Sequence, residues 1–129
     1  MKMSQQAVNT SKAPGAVGPY SQAILSGDFL FASGQLALDP ATGKMVEGSI
    51  GDRVHQIFSN LRAIAEEADT SLDNVVKTTV FLADIKDFAA VNEVYAQYFS
   101  APYPARSAFQ VAALPLGADV EMEAIFYLK

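Results

Sequence analysis

The sequence of 129 residues contains no cysteine, and its single histidine is His55. The lack of cysteine excludes disulfide bonds, thiolate nucleophiles and cysteine zinc ligands. One histidine and scattered carboxylates do not make a transition-metal site, so no metal is predicted. A Ser-His-Asp triad is also disfavoured. The spacing of apolar residues puts His55 beside the buried stripe of a predicted helix, where a solvated surface position is the simpler interpretation.

Basic residues are scarce as well. Nine Lys and Arg stand against 14 Asp and Glu, which gives a net charge of −5. Nucleic-acid-binding surfaces normally need basic residues to neutralise phosphates, so a nucleic acid is not an expected partner. The sequence has no Walker or Gly-x-Gly-x-x-Gly motif, which leaves nucleotide cofactors without support.

Long apolar runs are also missing. No run approaches the roughly 20 residues that a membrane-spanning helix needs, and no basic-then-apolar signal is present, so we expect a cytosolic protein without a membrane partner. Half of the residues are hydrophobic and 18% are charged, which is typical of a folded globule. We predict a single domain over 1–129, in which the proline- and glycine-containing residues 1–19 form an N-terminal arm or loop.

Helical and strand-like apolar patterns follow this arm. In chain order the spacing predicts a hairpin over 20–35, a loop over 39–48, a helix capped by Ser49, a strand over 74–83, a second helix that begins at Asp84, and a terminal hairpin of strands 106–113 and 119–128. This order is typical of an α+β fold with both helices on one face of a sheet. The strand over 74–83 is apolar at successive positions, which indicates burial on both faces. Because two helices cover one face only, we predict a homo-oligomer that covers the other.

Two charged residues interrupt otherwise apolar strands. Arg106 opens one of the last two strands, and Glu121 lies inside the other. A charge in a buried strand is costly unless it is paired or binds a ligand. The planar fork of Arg106 suits bidentate binding of a carboxylate, and an ion pair that caps the strand end is the alternative. A solvated polar face, shared with Glu123, explains Glu121 as well as catalysis does.

The predicted terminal hairpin separates these two charges. With Pro115-Leu116-Gly117 as the turn, Arg106 pairs near Phe126, about 16 Å from Glu121. Either a bulge shortens this distance or the two residues meet across a subunit interface, and we favour the interface.

Small polar residues next to glycines form a third group of candidates. Tyr20 follows Gly18-Pro19 and Ser33 precedes Gly34, although ordinary turn and strand-edge roles fit both residues. Ser107 follows the arginine, but a serine nucleophile needs a base, and the sequence offers none beside it.

Together these segments resemble the Rid/YjgF family of reactive intermediate deaminases, and most closely its RidA subgroup. The matching segments are Gly18-Pro19-Tyr20-Ser21-Gln22, Ser33-Gly34-Gln35, Val76-Lys77-Thr78-Thr79-Val80-Phe81, Phe88-Ala89-Ala90-Val91-Asn92, Pro104-Ala105-Arg106-Ser107 and Val120-Glu121-Met122. Each segment alone is a weak signal, whereas all of them in this order and spacing are highly specific. The resemblance covers nearly the whole chain.

The resemblance implies a chorismate-mutase-like fold and a homotrimer, with the sheets packed around a central β-barrel and the clefts between subunits. The implied reaction is the hydrolysis of 2-imino acids, such as 2-iminobutanoate and 2-iminopropanoate, to 2-oxo acids and ammonia without a cofactor. By the same resemblance, Arg106 would bind the substrate carboxylate, and Glu121 would orient or deprotonate the attacking water. The other residues that would line the cleft or contact the substrate are Tyr20, Ser33, Asn92 and Ser107, the last through its backbone.

The sequence departs from many members of this family at Ser107, where they carry cysteine. If this residue acts through its backbone N–H, the change is mild, whereas a side-chain role would put activity in doubt. Three other functions remain open: a regulatory trimer that binds small carboxylates without turnover, a ribonuclease and a chaperone-like protein. The acidic net charge and the single histidine argue against the ribonuclease.

Overall fold

The computed structural model describes residues 5–129. Within these residues, six strands form one mixed sheet and two helices cover one of its faces. The strands are β1 (Gln5–Val8), β2 (Ala23–Ser26), β3 (Phe29–Gln35), β4 (Val75–Leu82), β5 (Ala105–Gln110) and β6 (Val120–Tyr127), and the helices are α1 (Ile50–Glu67) and α2 (Phe88–Tyr95). Across the sheet the strands follow the order β1-β2-β3-β6-β4-β5. The predicted α+β class is therefore confirmed.

The prediction of an arm or loop over 1–19 is wrong for residues 5–8, and its residues 1–4 lie outside the described residues. Residues Gln5–Val8 form β1, which pairs with β2 in an antiparallel register. This strand is largely polar and only Val8 is buried, so backbone pairing rather than an apolar pattern defines it. The chain that follows β1 is held by the buried Gln22, whose amide nitrogen donates to the carbonyl oxygens of Thr10 (3.0 Å) and Pro14 (2.8 Å).

The predicted hairpin and the loop after it are confirmed. Strands β2 and β3 pair in an antiparallel register around a tight turn in which Gly27 has a φ of 58°, a left-handed conformation that glycine adopts without strain. The loop over 39–48 contains a single bridge between Leu38 and Met45.

Helix α1 begins where the sequence predicts. Ser49 and Asp52 form a capping box, in which the Ser49 hydroxyl accepts from the Asp52 N–H and the Asp52 carboxylate accepts from the Ser49 N–H. Its apolar stripe, including Ile57, Phe58 and Leu61, is buried against the sheet. The second helix differs in detail from the prediction, because Asp84 caps a short 3-10 turn (Ile85–Asp87) and α2 starts directly after it.

The predicted terminal hairpin is wrong. Strand β5 pairs with β4 in a parallel register, and β6 lies between β3 and β4, antiparallel to both. Helix α2 connects β4 to β5, and a helical crossover of this kind joins parallel neighbours rather than antiparallel ones. The Pro115–Gly117 segment is a 3-10 turn on the path from the sheet edge back to its centre.

One face of the sheet is not covered by any of the residues that the structure describes. Alternation along β6 buries Val120, Met122, Ala124 and Phe126 beneath the helices and turns the residues between them to the other side. The predicted burial of the strand over 74–83 on both faces is therefore not achieved by one chain. Aromatic side chains on the uncovered face, which we call the open face, remain exposed to solvent: Phe29, Phe31, Phe109 and Tyr127.

Candidate active site

Arg106 lies on the helix-covered face of the edge strand β5. Its guanidinium carbon is 4.7 Å from the centroid of the Tyr95 ring and 5.4 Å from that of Phe88. Its Nη1 donates a hydrogen bond of 2.7 Å to Oδ1 of Asn92. Among residues 5–129 no carboxylate forms an ion pair with this half-buried arginine. The cation is thus held by neutral groups, and its charge remains available to an anion.

Helix α2 supplies all three supports of Arg106. Phe88, Asn92 and Tyr95 are spaced i, i+4 and i+7, which places them along one face of the helix. The Tyr95 hydroxyl lies 2.7 Å from Oγ1 of the buried Thr78 on β4, so the ring that stacks on the guanidinium is itself fixed. Burial raises the pKa of Tyr95, which keeps this phenol neutral.

Glu121 lies on the open face, next to Gly34 of β3. Burial raises the pKa of the half-buried Glu121 carboxyl, and the nearby charge of Glu123 raises it further. A carboxyl group in such a position titrates closer to neutrality than an exposed one, which suits proton transfer or the orientation of water.

A cavity of about 500 Å³ brings Glu121 together with two other predicted residues, Tyr20 and Ser33. The Ser33 hydroxyl donates to the carbonyl oxygen of Ser21 at 2.6 Å, which leaves its lone pairs as acceptors. The Tyr20 hydroxyl accepts from the Val17 N–H at 3.3 Å. These contacts fix both oxygen atoms at the cavity wall without using their full hydrogen-bonding capacity.

The chain does not bring Arg106 and Glu121 together. Arg106 pairs with Thr78 on β4, which pairs with Ala124 on β6, three positions from Glu121. Three residues along a strand and two strand spacings correspond to a separation of about 14 Å between the α-carbons. The two side chains also lie on opposite faces of the sheet. The six predicted site residues therefore fall into two groups: Tyr20, Ser33 and Glu121 around the cavity, and Asn92, Arg106 and Ser107 at the edge strand.

Two further residues were considered from the sequence as a nucleophile or base, Ser107 and His55. Ser107 is exposed and alternates with Arg106 along β5, so its side chain lies on the other face. His55 is half-buried rather than solvated, and its Nδ1 shares a hydrogen bond of 2.6 Å with the Tyr98 hydroxyl. Within residues 5–129 no cluster of three or more metal-ligating side chains occurs, and neither helix is long and apolar enough to cross a membrane.

Several residues around the two groups were not predicted as site residues. Gln22 and Gln35 are buried at the cavity wall, and Leu116 lines its mouth. Tyr95 was predicted only as part of an apolar helix face. Its i+3 spacing from Asn92 was the available signal, but the contact with Arg106 depends on how α2 packs against β5.

Comparison with known proteins identifies close relatives. The family model described as Endoribonuclease L-PSP matches residues 10–128. The human 2-iminobutanoate/2-iminopropanoate deaminase is 49% identical over 121 residues, covering 94% of this chain and 88% of that protein. The crystal structure of RidA from the Antarctic bacterium Psychrobacter sp. has a TM-score of 0.90 at 51% identity, with 95% of this chain and 98% of that chain covered. The structure of E. coli TdcF with bound serine has a TM-score of 0.89 at 38% identity, covering 95% and 98%.

Proposed function

Because this chain belongs to the Endoribonuclease L-PSP family, also called the Rid/YjgF family, we propose that it hydrolyses 2-imino acids such as 2-iminobutanoate and 2-iminopropanoate. In this reaction the oxygen of water bonds to the imine carbon, giving a tetrahedral carbinolamine. The C–N bond then breaks, which releases ammonia and gives a 2-oxo acid. The reaction consumes one water and needs no oxidant or reductant.

The observation that supports this proposal most directly is the uncompensated charge of Arg106. Its charge is supported by Asn92, Tyr95 and Phe88 and is not neutralised by a carboxylate of the described chain. An ion pair that caps the strand end, the alternative from the sequence, is not formed. A guanidinium without a carboxylate partner can bind the carboxylate of an imino acid through two parallel hydrogen bonds. The structure of E. coli TdcF with bound serine supports a site for small amino-acid-like carboxylates in this fold.

Glu121 supplies the acid–base group in this proposal. Its raised pKa lets it accept a proton from the attacking water and return one to the leaving nitrogen. Tyr20 and Ser33 hold the water or the imine nitrogen from the same cavity. The backbone of Ser107 contacts the substrate carboxylate or imine, so the replacement of cysteine by serine is mild.

A complete site then requires two copies of the chain. Arg106 and Glu121 lie on opposite faces of one sheet, about 14 Å apart. Contact between the open face of one copy and the edge strand of the next would join the two groups. The exposed aromatic residues of the open face support such a contact, since they lose water when covered. We assign the assembly to a homotrimer around a central β-barrel, in line with the family resemblance.

The test generates 2-iminobutanoate in place with a threonine dehydratase and follows the release of 2-oxobutanoate. We expect wild type to accelerate the release and Arg106→Ala to have little effect above the protein-free rate. Arg62→Ala is the matched control, because Arg62 is an exposed arginine on α1 away from the cavity. Equal release in all reactions would overturn the deaminase and favour a carboxylate-binding protein without turnover.

Mixing two inactive variants tests the shared site. Arg106→Ala and Glu121→Gln chains, unfolded and refolded together, should regain activity at about a quarter of the sites, because a random assembly pairs an intact arginine with an intact glutamate at that frequency. Each variant refolded alone should keep only a small residual activity. If the mixture stays inactive while its oligomers are fully formed, both residues act within one chain and the shared-site proposal is wrong.

The family description also names an endoribonuclease. The chain has a net charge of −5, and His55 is engaged with Tyr98 rather than with a second acid or base. We therefore expect no salt-dependent binding of RNA at micromolar protein, and such binding would favour the ribonuclease. The chaperone-like role and the cytosolic location remain predictions from the sequence.

A further inference from the structure

The cavity around Glu121 has a mixed lining. Beside the polar side chains of Tyr20, Gln22, Ser33 and Gln35, an apolar part is formed by Pro14, Val17, Leu36, Leu38, Pro115 and Leu116. Of the residues that line this cavity in the described chain, none carries a positive charge. A volume of about 500 Å³ is in the range of pockets that hold drug-sized ligands, about 300–1,000 Å³. It is larger than an imino acid with a methyl or ethyl side chain requires.

Leu116 is the most unusual member of the apolar wall. Its side chain is 74% exposed, and its backbone has a φ of 59°. A leucine in the left-handed region is rare, and an exposed one contributes little to the core. Within one chain, neither its conformation nor its packing explains a large apolar residue at this position. A ligand in the cavity that it lines would give this side chain an apolar contact.

The turn that carries Leu116 is anchored by hydrogen bonds of the residues that follow it. Arg53 on α1 makes a bidentate contact with the carboxylate of Asp119, with Nη2 to Oδ2 at 2.6 Å and Nε to Oδ1 at 2.9 Å. A third nitrogen of Arg53 donates to the carbonyl oxygen of Gly48. The intervening Ala118 is buried, and its N–H donates to the carbonyl oxygen of Pro115. The mouth of the cavity is thus a fixed surface rather than a loose loop.

Val17 lines the same cavity from a second segment, the one before Tyr20. Its side chain is 93% exposed, and its N–H donates to the Tyr20 hydroxyl. The segment before it is anchored by the hydrogen bond from Gln22 to Pro14. Two exposed, branched apolar side chains on two anchored segments therefore border the same cavity.

We propose that Leu116 and Val17 select the side chain of the substrate, favouring imino acids with long apolar side chains and rejecting those with a second carboxylate. This inference rests on the proposed function of the site. Burial of a long apolar side chain between the two residues is favourable. A second carboxylate would meet the charge of Glu121 with no cation in the wall to balance it.

The experiment compares three imines, derived from alanine, leucine and glutamate and generated in place by amino-acid oxidases. We expect wild type to have a higher kcat/KM for the leucine-derived imine than for the other two. Leu116→Ala should lower the leucine-to-alanine ratio of kcat/KM about tenfold, the size of effect that loss of apolar contact has in a binding pocket. Leu116→Lys should raise the glutamate-to-alanine ratio, because it adds a cation at the mouth.

Ile85→Ala is the matched control, since Ile85 is an exposed, large apolar residue outside the cavity. Both ratios should stay at the wild-type value in this variant. If Leu116→Ala and Leu116→Lys hydrolyse imines but leave both ratios unchanged, the specificity assignment is wrong. The proposed function would stand in that case.

Binding of the 2-oxo acid products separates this inference from the proposed function. If no imine is hydrolysed faster by wild type, calorimetry of pyruvate and 4-methyl-2-oxopentanoate still tests the apolar wall. Tighter binding of the longer oxo acid, lost in Leu116→Ala, supports selection in a binding protein without turnover. Equal affinities for the two acids would overturn it.

Discussion

Gly34 leaves open the space that the Glu121 carboxylate occupies, because a Cβ on Gly34 would stand 2.8 Å from Oε2 and 3.1 Å from Cδ of Glu121. The first distance is shorter than real Cβ contacts, and the second is unusually tight, so the carboxylate would have to shift. The glycine on β3 thereby fixes where the carboxylate on the neighbouring strand can lie. The acid–base group of the site thus depends on the absence of a side chain opposite it.

We expect Gly34→Ala to displace the Glu121 carboxylate without unfolding the protein, since the atoms that must move end a flexible side chain. Imine hydrolysis should fall about tenfold or more, as small misplacements of a catalytic group do, while the melting temperature changes little. A double-mutant cycle provides the control. In the Glu121→Gln background, the glycine substitution should cause no further loss. A further loss of similar size would show that Gly34 acts on something other than Glu121.

The difference in stability between wild type and Glu121→Gln should depend on pH. Because burial raises the pKa of Glu121 in the folded state, the protonated form adds stability below the ordinary pKa of 4.5, and this contribution is lost as pH rises through the folded-state pKa. Glutamine cannot ionise, so the variant should melt at a higher temperature than wild type at pH 7.5 and at a similar temperature near pH 4. Thermal unfolding across this range is the measurement. The control, Glu67→Gln at an exposed position of α1, should show no such difference. A Glu121→Gln variant less stable than wild type at pH 7.5 would contradict the prediction.

Asn92 should act as a positioning residue for Arg106. Removal of its amide in Asn92→Ala frees the guanidinium from its 2.7 Å hydrogen bond, and we expect kcat/KM to fall about tenfold. Asn92→Asp should lower kcat/KM more than Asn92→Ala does, because the new carboxylate pairs with Arg106 and competes with the substrate. Steady-state kinetics and the affinity for pyruvate measure both effects. Asn74→Ala is the control, since the Asn74 amide contacts Thr70 and not the site. If Asn92→Asp were as active as wild type, the free charge of Arg106 would not be what binds the substrate.

The two ion pairs of the described chain should differ in their value to stability. Arg53 and Asp119 meet in a bidentate contact with side chains only 20% and 30% exposed, and Asp119 further raises the pKa of Arg53. We expect Arg53→Ala to lower the free energy of unfolding by about 2 kcal/mol, as hydrogen bonds between charged groups do. The pair of Lys129 and Asp28 is long, at 3.4 Å, and exposed, so Asp28→Asn should change stability by less than about 0.5 kcal/mol. Urea unfolding measures both, and equal effects would refute the distinction.

Local patterns predicted much of this fold. The capping box at Ser49, the turn at Gly27 and the alternation along β6 each depend on interactions within a few residues, which a sequence displays directly. Strand β1 was missed because it is a short polar edge strand, defined by its backbone partner. The parallel pairing of β4 and β5 was missed because alternation in one strand does not show the direction of its neighbour.

Local sequence patterns likewise predict only part of the candidate site. The alternation of Val120, Glu121 and Met122 already places the glutamate opposite the core. The segment Ala105–Gln110 shows no such alternation, so the sequence does not reveal which face Arg106 occupies. Its contacts with Asn92 and Tyr95 depend on the packing of α2 against β5, which no local pattern encodes. The free charge of Arg106 could not be foreseen for the same reason.

The central position of β6 has a consequence for the folding of the newly synthesised chain. Strands β1 to β3 and strands β4 and β5 form two part-sheets, and β6 hydrogen-bonds to one of them on each side. It is also the last of the six strands to be translated. Until β6 pairs with both, the strands β3 and β4 each have an unpaired edge and the apolar residues beneath the helices are incompletely covered, which is when aggregation or capture by a chaperone is most favourable.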